Sequence, residues 1–353
     1  MEIFTYNKIP LWILWGIFLN MGTLVKAIAV LLLLTAGVLL VHTYWIDIIS
    51  ILEEILRTFQ EARIRYVVPA VLVYLLSVYL FAVRWQKVLF CIGYNLKATC
   101  LVPIYFGAIF MNNITPANMT GGEPLRILWA NKLFGISYTN AFKTILFERL
   151  VEAIPIALLL IYVLYSFPSF NIKFLPLISS LTLSSTHLML LVFLAAGITI
   201  RFFRAKFAAL LKNLQKNWKQ LKKSFTSVFL LSCGVWTLDI LRLKLVALAL
   251  NIHLSINLII TVSILSFLLG LLPLTPGGLG IIEGGLISLL LYSGLPLASA
   301  GSFVFLERLI SYGVSSVIGF LCLFYYGGFK IWEKFKKEKL TDKWVLFYQI
   351  LVQ

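Results

Sequence analysis

Pro273-Leu274-Thr275-Pro276-Gly277-Gly278-Leu279-Gly280-Ile281-Ile282-Glu283 interrupts an apolar region running from about residue 256 to 296. Pro276 lacks an N–H and disfavours helix at Thr275, while Gly277, Gly278 and Gly280 permit backbone turns that a β-carbon resists. A helix cannot run through such a stretch. The apolar flanks on either side are marginal for a full bilayer crossing at about 1.5 Å per residue. The region therefore reads as a helical hairpin that turns back inside the membrane. Unwound backbone at that depth is tolerated only where it is buried in protein or lines water.

A second stretch of the same kind lies upstream. The region from about 99 to 142 is broken by Asn112-Asn113-Ile114-Thr115-Pro116 and by Gly121-Gly122-Glu123-Pro124. Thr115-Pro116 recurs as Thr275-Pro276 and Glu123 as Glu283, each 160 positions later. Phe147-Glu148-Arg149-Leu150 returns as Leu306-Glu307-Arg308-Leu309 at an offset of 159. These landmarks mark an internal duplication. Arg84 and Arg242 hold corresponding places near the ends of the apolar spans that precede the two breaks.

The rest of the chain fits a membrane protein. Of 353 residues 61% are hydrophobic and 12% charged, against about 25% charged in soluble domains. Mean hydropathy is +0.96. A soluble domain, a disordered chain and a disulfide-built secreted module are excluded. Cys91, Cys100, Cys233 and Cys322 show no CxxC spacing and read as packing residues, while His42, His187 and His253 are too scattered to hold a metal. No metal and no cofactor is expected.

Continuous apolar spans fall at about 24–45, 66–90, 144–166, 177–200, 226–250 and 300–327. The net charge of +16 is concentrated in two places, the acid-free segment 201–224 and the tail beyond Gly328. The positive-inside bias places both in the cytoplasm, and a membrane surface rather than nucleic acid is the partner of that charge. Segment 201–224 also reads as an amphipathic helix suited to anionic lipid, or as a solvated basic loop. Residues 51–65, with alternating Glu and Arg, read as a further interfacial helix. The N-terminal segment lacks a small-residue cleavage site and is expected to be retained, with both termini cytoplasmic.

Threading the spans from those loops, the first hairpin enters from inside and the second from outside. The expected fold is all-α and polytopic: a leading span at 24–45, repeat 1 at 46–166, a linking span at 177–200, repeat 2 at 201–328, and a basic tail at 329–353. The two repeats are then inverted, each with a re-entrant broken hairpin. Secondary transporters build their sites where such hairpins meet.

Glu123, Arg126, Glu148, Arg149, Glu283, Glu307 and Arg308 lie in or beside apolar segments. An ionisable side chain at the bilayer centre costs at least about 2.5–3.5 kcal/mol, so these need partners or a wet cavity. Glu123 and Arg126 are spaced i,i+3 and can pair on one helix face, as can Asp239 and Arg242. Glu148 and Arg149 point about 100° apart and must seek partners elsewhere, with the repeat interface the expected place. Arg84 beside Trp85 reads as a snorkelling anchor. Free N–H groups where helices restart near Gly122 and Gly280 would suit a phosphate. The alternative is that the Glu-Arg pairs are structural clamps and the breaks ordinary interfacial loops. Gly280 and Gly284 also satisfy GxxxG, which leaves a homo-oligomer open.

Pro116 with Gly121-Gly122-Glu123-Pro124-Leu125-Arg126, Glu148-Arg149-Leu150, and Pro276-Gly277-Gly278-Leu279-Gly280 with Glu283 resemble the hallmark motifs of the lysylphosphatidylglycerol synthase transmembrane, or flippase-like, family. The likeness extends over about residues 20–328. Glu148-Arg149 stands where the family's usual pair is Asp-Arg, a change that keeps the carboxylate. Relatives that aminoacylate lipids carry an added cytosolic transferase domain, and others a glycosyltransferase; the short tail after Gly328 has room for neither. What the resemblance implies is a stand-alone module in the plasma membrane that moves a phospholipid or lipid-linked glycan between leaflets, without enzymatic activity. Arginines would hold its phosphate and glutamates its cationic or hydroxyl part, or a coupling proton. No GxxxxGK[ST] loop is present to use ATP. Two other readings stand beside it: a non-transporting subunit that presents lipid to a separate transferase, and a membrane-embedded lipid-modifying enzyme.

Overall fold

The computed structural model describes Leu31, Thr35 and residues 45–115, 121–166, 220–272 and 275–326. The linking span at 177–200, the tail at 329–353 and most of both the leading span and the basic segment 201–224 lie outside the described residues. Contacts divide the chain into two units, Met1–Arg57 and Thr58–Gln353. The first contributes Leu31, Thr35 and most of helix α1 (Trp45–Gln60), on which Glu53, Glu54 and Arg57 are exposed.

Every described regular element of the second unit is a helix. After α1 come α2 (Ile64–Cys91), α3 (Ala98–Ile114), α4 (Gly122–Phe134), α5 (Tyr138–Ser166), α6 (Phe225–Ala249), α7 (Ile256–Gly270), α8 (Ile281–Tyr292), α9 (Leu297–Arg308) and α10 (Ser315–Tyr325). A π-helical segment, Leu309–Val314, joins α9 to α10 without a break. Among the described residues three helices are long and apolar enough to cross a membrane: Ile64–Cys91, Lys222–Ala249 and Leu297–Tyr325. Helix α5 has 29 residues but carries Lys143, Glu148, Arg149 and Glu152. The broken regions yield short helices of 17 and 13 residues, then 15 and 12. At about 1.5 Å per residue the longest of these spans roughly 26 Å, less than a hydrocarbon core of about 30 Å.

Apolar side chains gather in two main cores. One surrounds α7, α8 and α9 and takes in Ala70 from the start of α2. The other surrounds α3, α4 and the beginning of α5 and takes in Leu323 from α10. Each half of the chain thus lends a helix to the other's core. The most extensive helix pair is α2 with α6, followed by α3 with α10. Gly319 permits the second pairing, because a β-carbon there would land on the Phe106 carbonyl oxygen and against Phe110. Of the cysteines, Cys91, Cys233 and Cys322 are partly buried as packing residues, but Cys100 is exposed near the start of α3.

The glycines of the two breaks work differently. Gly277, Gly278 and Gly280 have φ of +58°, +72° and +82°, the turn geometry expected of them. Gly121 instead has φ of −96°, within reach of any residue. What the first break requires is proximity: a β-carbon on Gly122 would stand 2.5 Å from the Ala108 carbonyl oxygen, with the Asn112 amide at 2.8 Å.

Gly319→Val should therefore force α3 and α10 apart and cost about 1–3 kcal/mol. Gly234→Ala is the control, since its nearest neighbour would be an ordinary contact at 3.7 Å on Leu80. Thermal unfolding in detergent should show a lowered midpoint for the first and an unchanged or raised one for the second.

Candidate functional site

The two breaks meet. Gly277 N–H donates to the Thr115 carbonyl at 3.2 Å, and the Tyr312 hydroxyl donates to the Asn113 carbonyl at 3.0 Å. The Asn113 side-chain amide donates to Ser316 Oγ at 2.9 Å and to Ser315 Oγ at 3.3 Å. Asn113 is 5% exposed, so its amide is satisfied by the π segment and α10 instead of by water.

The first N–H at each helix restart is already occupied. Gly122 N–H donates to Asn112 Oδ1 at 2.8 Å, and Gly280 N–H to Glu283 Oε2 at 2.6 Å. Asn112 and Glu283 thus cap the ends that the sequence had offered to a phosphate.

Around the breaks lie two ion-pair networks. In the first, Glu148 receives Arg126 Nη2 at 2.6 Å and Arg84 Nε at 3.4 Å. Arg84 also reaches Glu152 at 3.2 Å and Ser232 Oγ on α6 at 3.0 Å. Arg149 bridges Glu123 at 2.5 Å and Glu152 at 2.8 Å. The Arg126 guanidinium is held over Trp85 and Tyr105, 4.3 and 4.2 Å from the ring centroids, which adds cation–π attraction in a dry setting.

In the second network, Arg242 pairs with Glu307 at 3.0 Å and Asp239 at 2.7 Å, and Arg308 Nε pairs with Glu283 at 2.7 Å. Arg84 with Glu148 thus corresponds to Arg242 with Glu307, and Glu123 with Arg149 to Glu283 with Arg308. The same pairs recur at the offsets the sequence motifs define.

Several expectations are corrected here. Glu123 and Arg126 do not pair at i,i+3; Glu123 takes Arg149 and Arg126 takes Glu148. Glu148 and Arg149 find partners within their own half of the chain, because α2, α4 and α5 converge there. Arg84 does not snorkel: it is 1% exposed and tied to two carboxylates. Glu152, absent from the repeated motifs, joins the network through Arg84 and Arg149. Its signal was the spacing i,i+3 from Arg149, a geometry that does place the two on one face. Asp239 with Arg242 is paired as expected.

A cavity of about 300 Å³ opens between the networks. Its walls include Arg149 and Glu152 from the first, and Asp239, Arg242, Glu307 and Arg308 from the second. Asn113 and Tyr312, the contact between the breaks, also line it. Glu123 and Glu283 stand one ion pair behind the wall, Glu148 two, by way of Arg84 and Glu152, and Arg126 three. Two charged groups at this wall are incompletely partnered: Arg308 Nη2 and Glu307 Oε2 are buried without a hydrogen bond.

The family model described as lysylphosphatidylglycerol synthase TM region matches residues 27–319. The chain belongs to this family. Similar curated proteins are the UPF0104 membrane protein PH1989 of Pyrococcus horikoshii, 26% identical over 82% of this chain and 94% of that one, and a UPF0104 membrane protein of Methanothermobacter thermautotrophicus, 26% identical over 82% and 92%. The UPF0104 membrane protein MJ1595 of Methanocaldococcus jannaschii is 24% identical over 77% of this chain and 88% of its own length. No solved structure matches significantly. Family membership and the apolar helices make the chain an integral membrane protein.

Glu148 is the pivot of the first network, with no exposed surface and three side-chain partners. Glu148→Ala leaves Arg84 and Arg126 as under-compensated buried cations, a loss of about 3–5 kcal/mol. Adding Arg126→Leu should recover part of that loss. Unfolding midpoints of the single and double variants in detergent provide the test; equal midpoints for Glu148→Ala and the parent protein would refute the assignment.

Proposed function

We propose that this protein translocates a membrane lipid or lipid-linked headgroup between leaflets, through the cavity between its two broken helical regions. The observation that carries the reading is the unpartnered Arg308 guanidinium nitrogen at the wall of a cavity to which both ion-pair networks contribute. A cation that is buried, ion-paired on one edge and open on the other is suited to a phosphate oxygen, which arginine binds by charge-assisted hydrogen bonds. Arg149 faces the same cavity with a third of its side chain exposed, although both of its Nη groups are held by carboxylates. A headgroup would enter at Arg308 and compete with Glu123 and Glu152 for Arg149.

In this reading the two hairpins, α3 with α4 and α7 with α8, are re-entrant and belong to inverted repeats. Their short helices, the recurrence of the ion pairs and the Gly277–Thr115 hydrogen bond support it. The basic segment 201–224 and the tail would lie at the cytoplasmic face, where they attract anionic lipid. Alternating access would follow from one hairpin rocking on the other around the paired charges.

Purified protein in vesicles carrying a fluorescent phospholipid reports movement by the loss of signal to a membrane-impermeant quencher. Arg149→Ala and Arg308→Ala should each slow transfer by about tenfold or more. Arg308→Lys should recover little of it, because an ammonium cannot keep Glu283 and a phosphate in the same planar fork. Unaltered transfer in the Arg149→Ala, Arg308→Ala double variant would count decisively against this function.

A further inference from the structure

The two networks are not equal copies, and the difference lies at the cavity wall. The first joins Arg84, Arg126 and Arg149 to Glu123, Glu148 and Glu152, so that it is neutral. The second joins Arg242 and Arg308 to Asp239, Glu283 and Glu307, with one carboxylate in excess. The cation missing from the second is the counterpart of Arg126. At the repeat offset of 160 that position is Leu286, which lines the cavity.

The consequence falls on a single oxygen. Glu148 Oε2 receives Arg126 at 2.6 Å and the Tyr105 hydroxyl at 3.3 Å. At the repeat offset of 160 the counterparts of Arg126 and Tyr105 are Leu286 and Leu265, whose side chains cannot donate. Glu307 is 4% exposed, its Oε1 accepts from Arg242, and its Oε2 is buried without any partner. A desolvated carboxylate oxygen in a network of net negative charge is costly unless a cation meets it.

We propose that Glu307 Oε2 is a cation subsite that takes the ammonium group of a lipid headgroup, in the place that Arg126 fills in the first half. The surroundings favour an ammonium over a metal ion. Among the described residues no group of three or more His, Cys, Asp or Glu side chains could hold a metal ion, and the cavity wall includes the aromatic side chains Tyr74 and Trp236. Aromatic faces attract alkylammonium. The inference rests on the translocation reading above and narrows its substrate: a headgroup with phosphate at Arg308 and ammonium at Glu307, adjacent residues that both open on one cavity.

Equilibrium binding to the detergent-purified full chain tests this independently of transport. The probes are a phosphoethanolamine lipid, the same lipid N-acetylated to remove its charge, and free phosphoethanolamine. The first should bind at least about tenfold more tightly than the second, the range of a charge-assisted hydrogen bond. Glu307→Gln should bring that ratio close to one. Leu286→Arg, which supplies the missing cation from the protein, should do the same while leaving the purified chain monodisperse. Equal binding of the two lipids by the parent protein, or an undiminished preference in Glu307→Gln, overturns the subsite. Free phosphoethanolamine binding as tightly as the lipid overturns its assignment to a lipid headgroup. Failure of vesicle transport with the binding preference intact would sink the translocation reading and leave the subsite standing.

Discussion

The structure depends on the compensation of charge where water is excluded. Three arginines and three glutamates of the first network, and two arginines with three acids of the second, sit among helices whose other side chains are overwhelmingly apolar. None of these groups could be placed singly in hydrocarbon at acceptable cost. Their pairing therefore decides which helices must be neighbours. Arg84 ties α2 to α5 through Glu148 and Glu152 and to α6 through Ser232. Arg242 ties α6 to α9, and Arg308 ties α9 to α8.

The breaks are the second constraint, and they act through backbone groups. Interrupted helices expose N–H and C=O groups that lipid cannot satisfy. Asn112 and Glu283 cap the restarting helices, and the Thr115 and Asn113 carbonyls accept from Gly277 and Tyr312. Each broken region thus satisfies part of the other, which brings them into contact. The π segment immediately after Arg308 places Tyr312 at that contact, in keeping with the tendency of π-bulges to occur at functional positions.

Much of this was legible in the chain itself, though unevenly. The Pro and Gly breaks predicted the helix interruptions, and α2, α6 and α9–α10 lie close to where apolar runs put spans. The repeated Glu-Arg motifs identified the charged residues. Local spacing does not identify their partners: i,i+3 geometry favours Glu123 with Arg126, yet each finds a better-placed charge on α5. Arg84 looked like an interfacial anchor because its carboxylates lie 64 and 68 residues away. At Gly121 and Gly122 what demands a small residue is the approach of the preceding helix, which no local pattern shows.

By itself the sequence determined that the chain is helical, lives in a membrane, interrupts its helices twice and carries the same charged motif in two places. Those properties follow from hydropathy, from proline and glycine stereochemistry and from the price of burying charge, all of which act locally. Only the tertiary structure decided which arginine meets which glutamate, and that the two broken regions face a common cavity. It also revealed that Glu307 Oε2 and Arg308 Nη2 are left without hydrogen bonds there, with Leu286 standing where the first network has Arg126 paired to Glu148. Such complementarity belongs to residues far apart in the chain, and no local pattern encodes the distance between them.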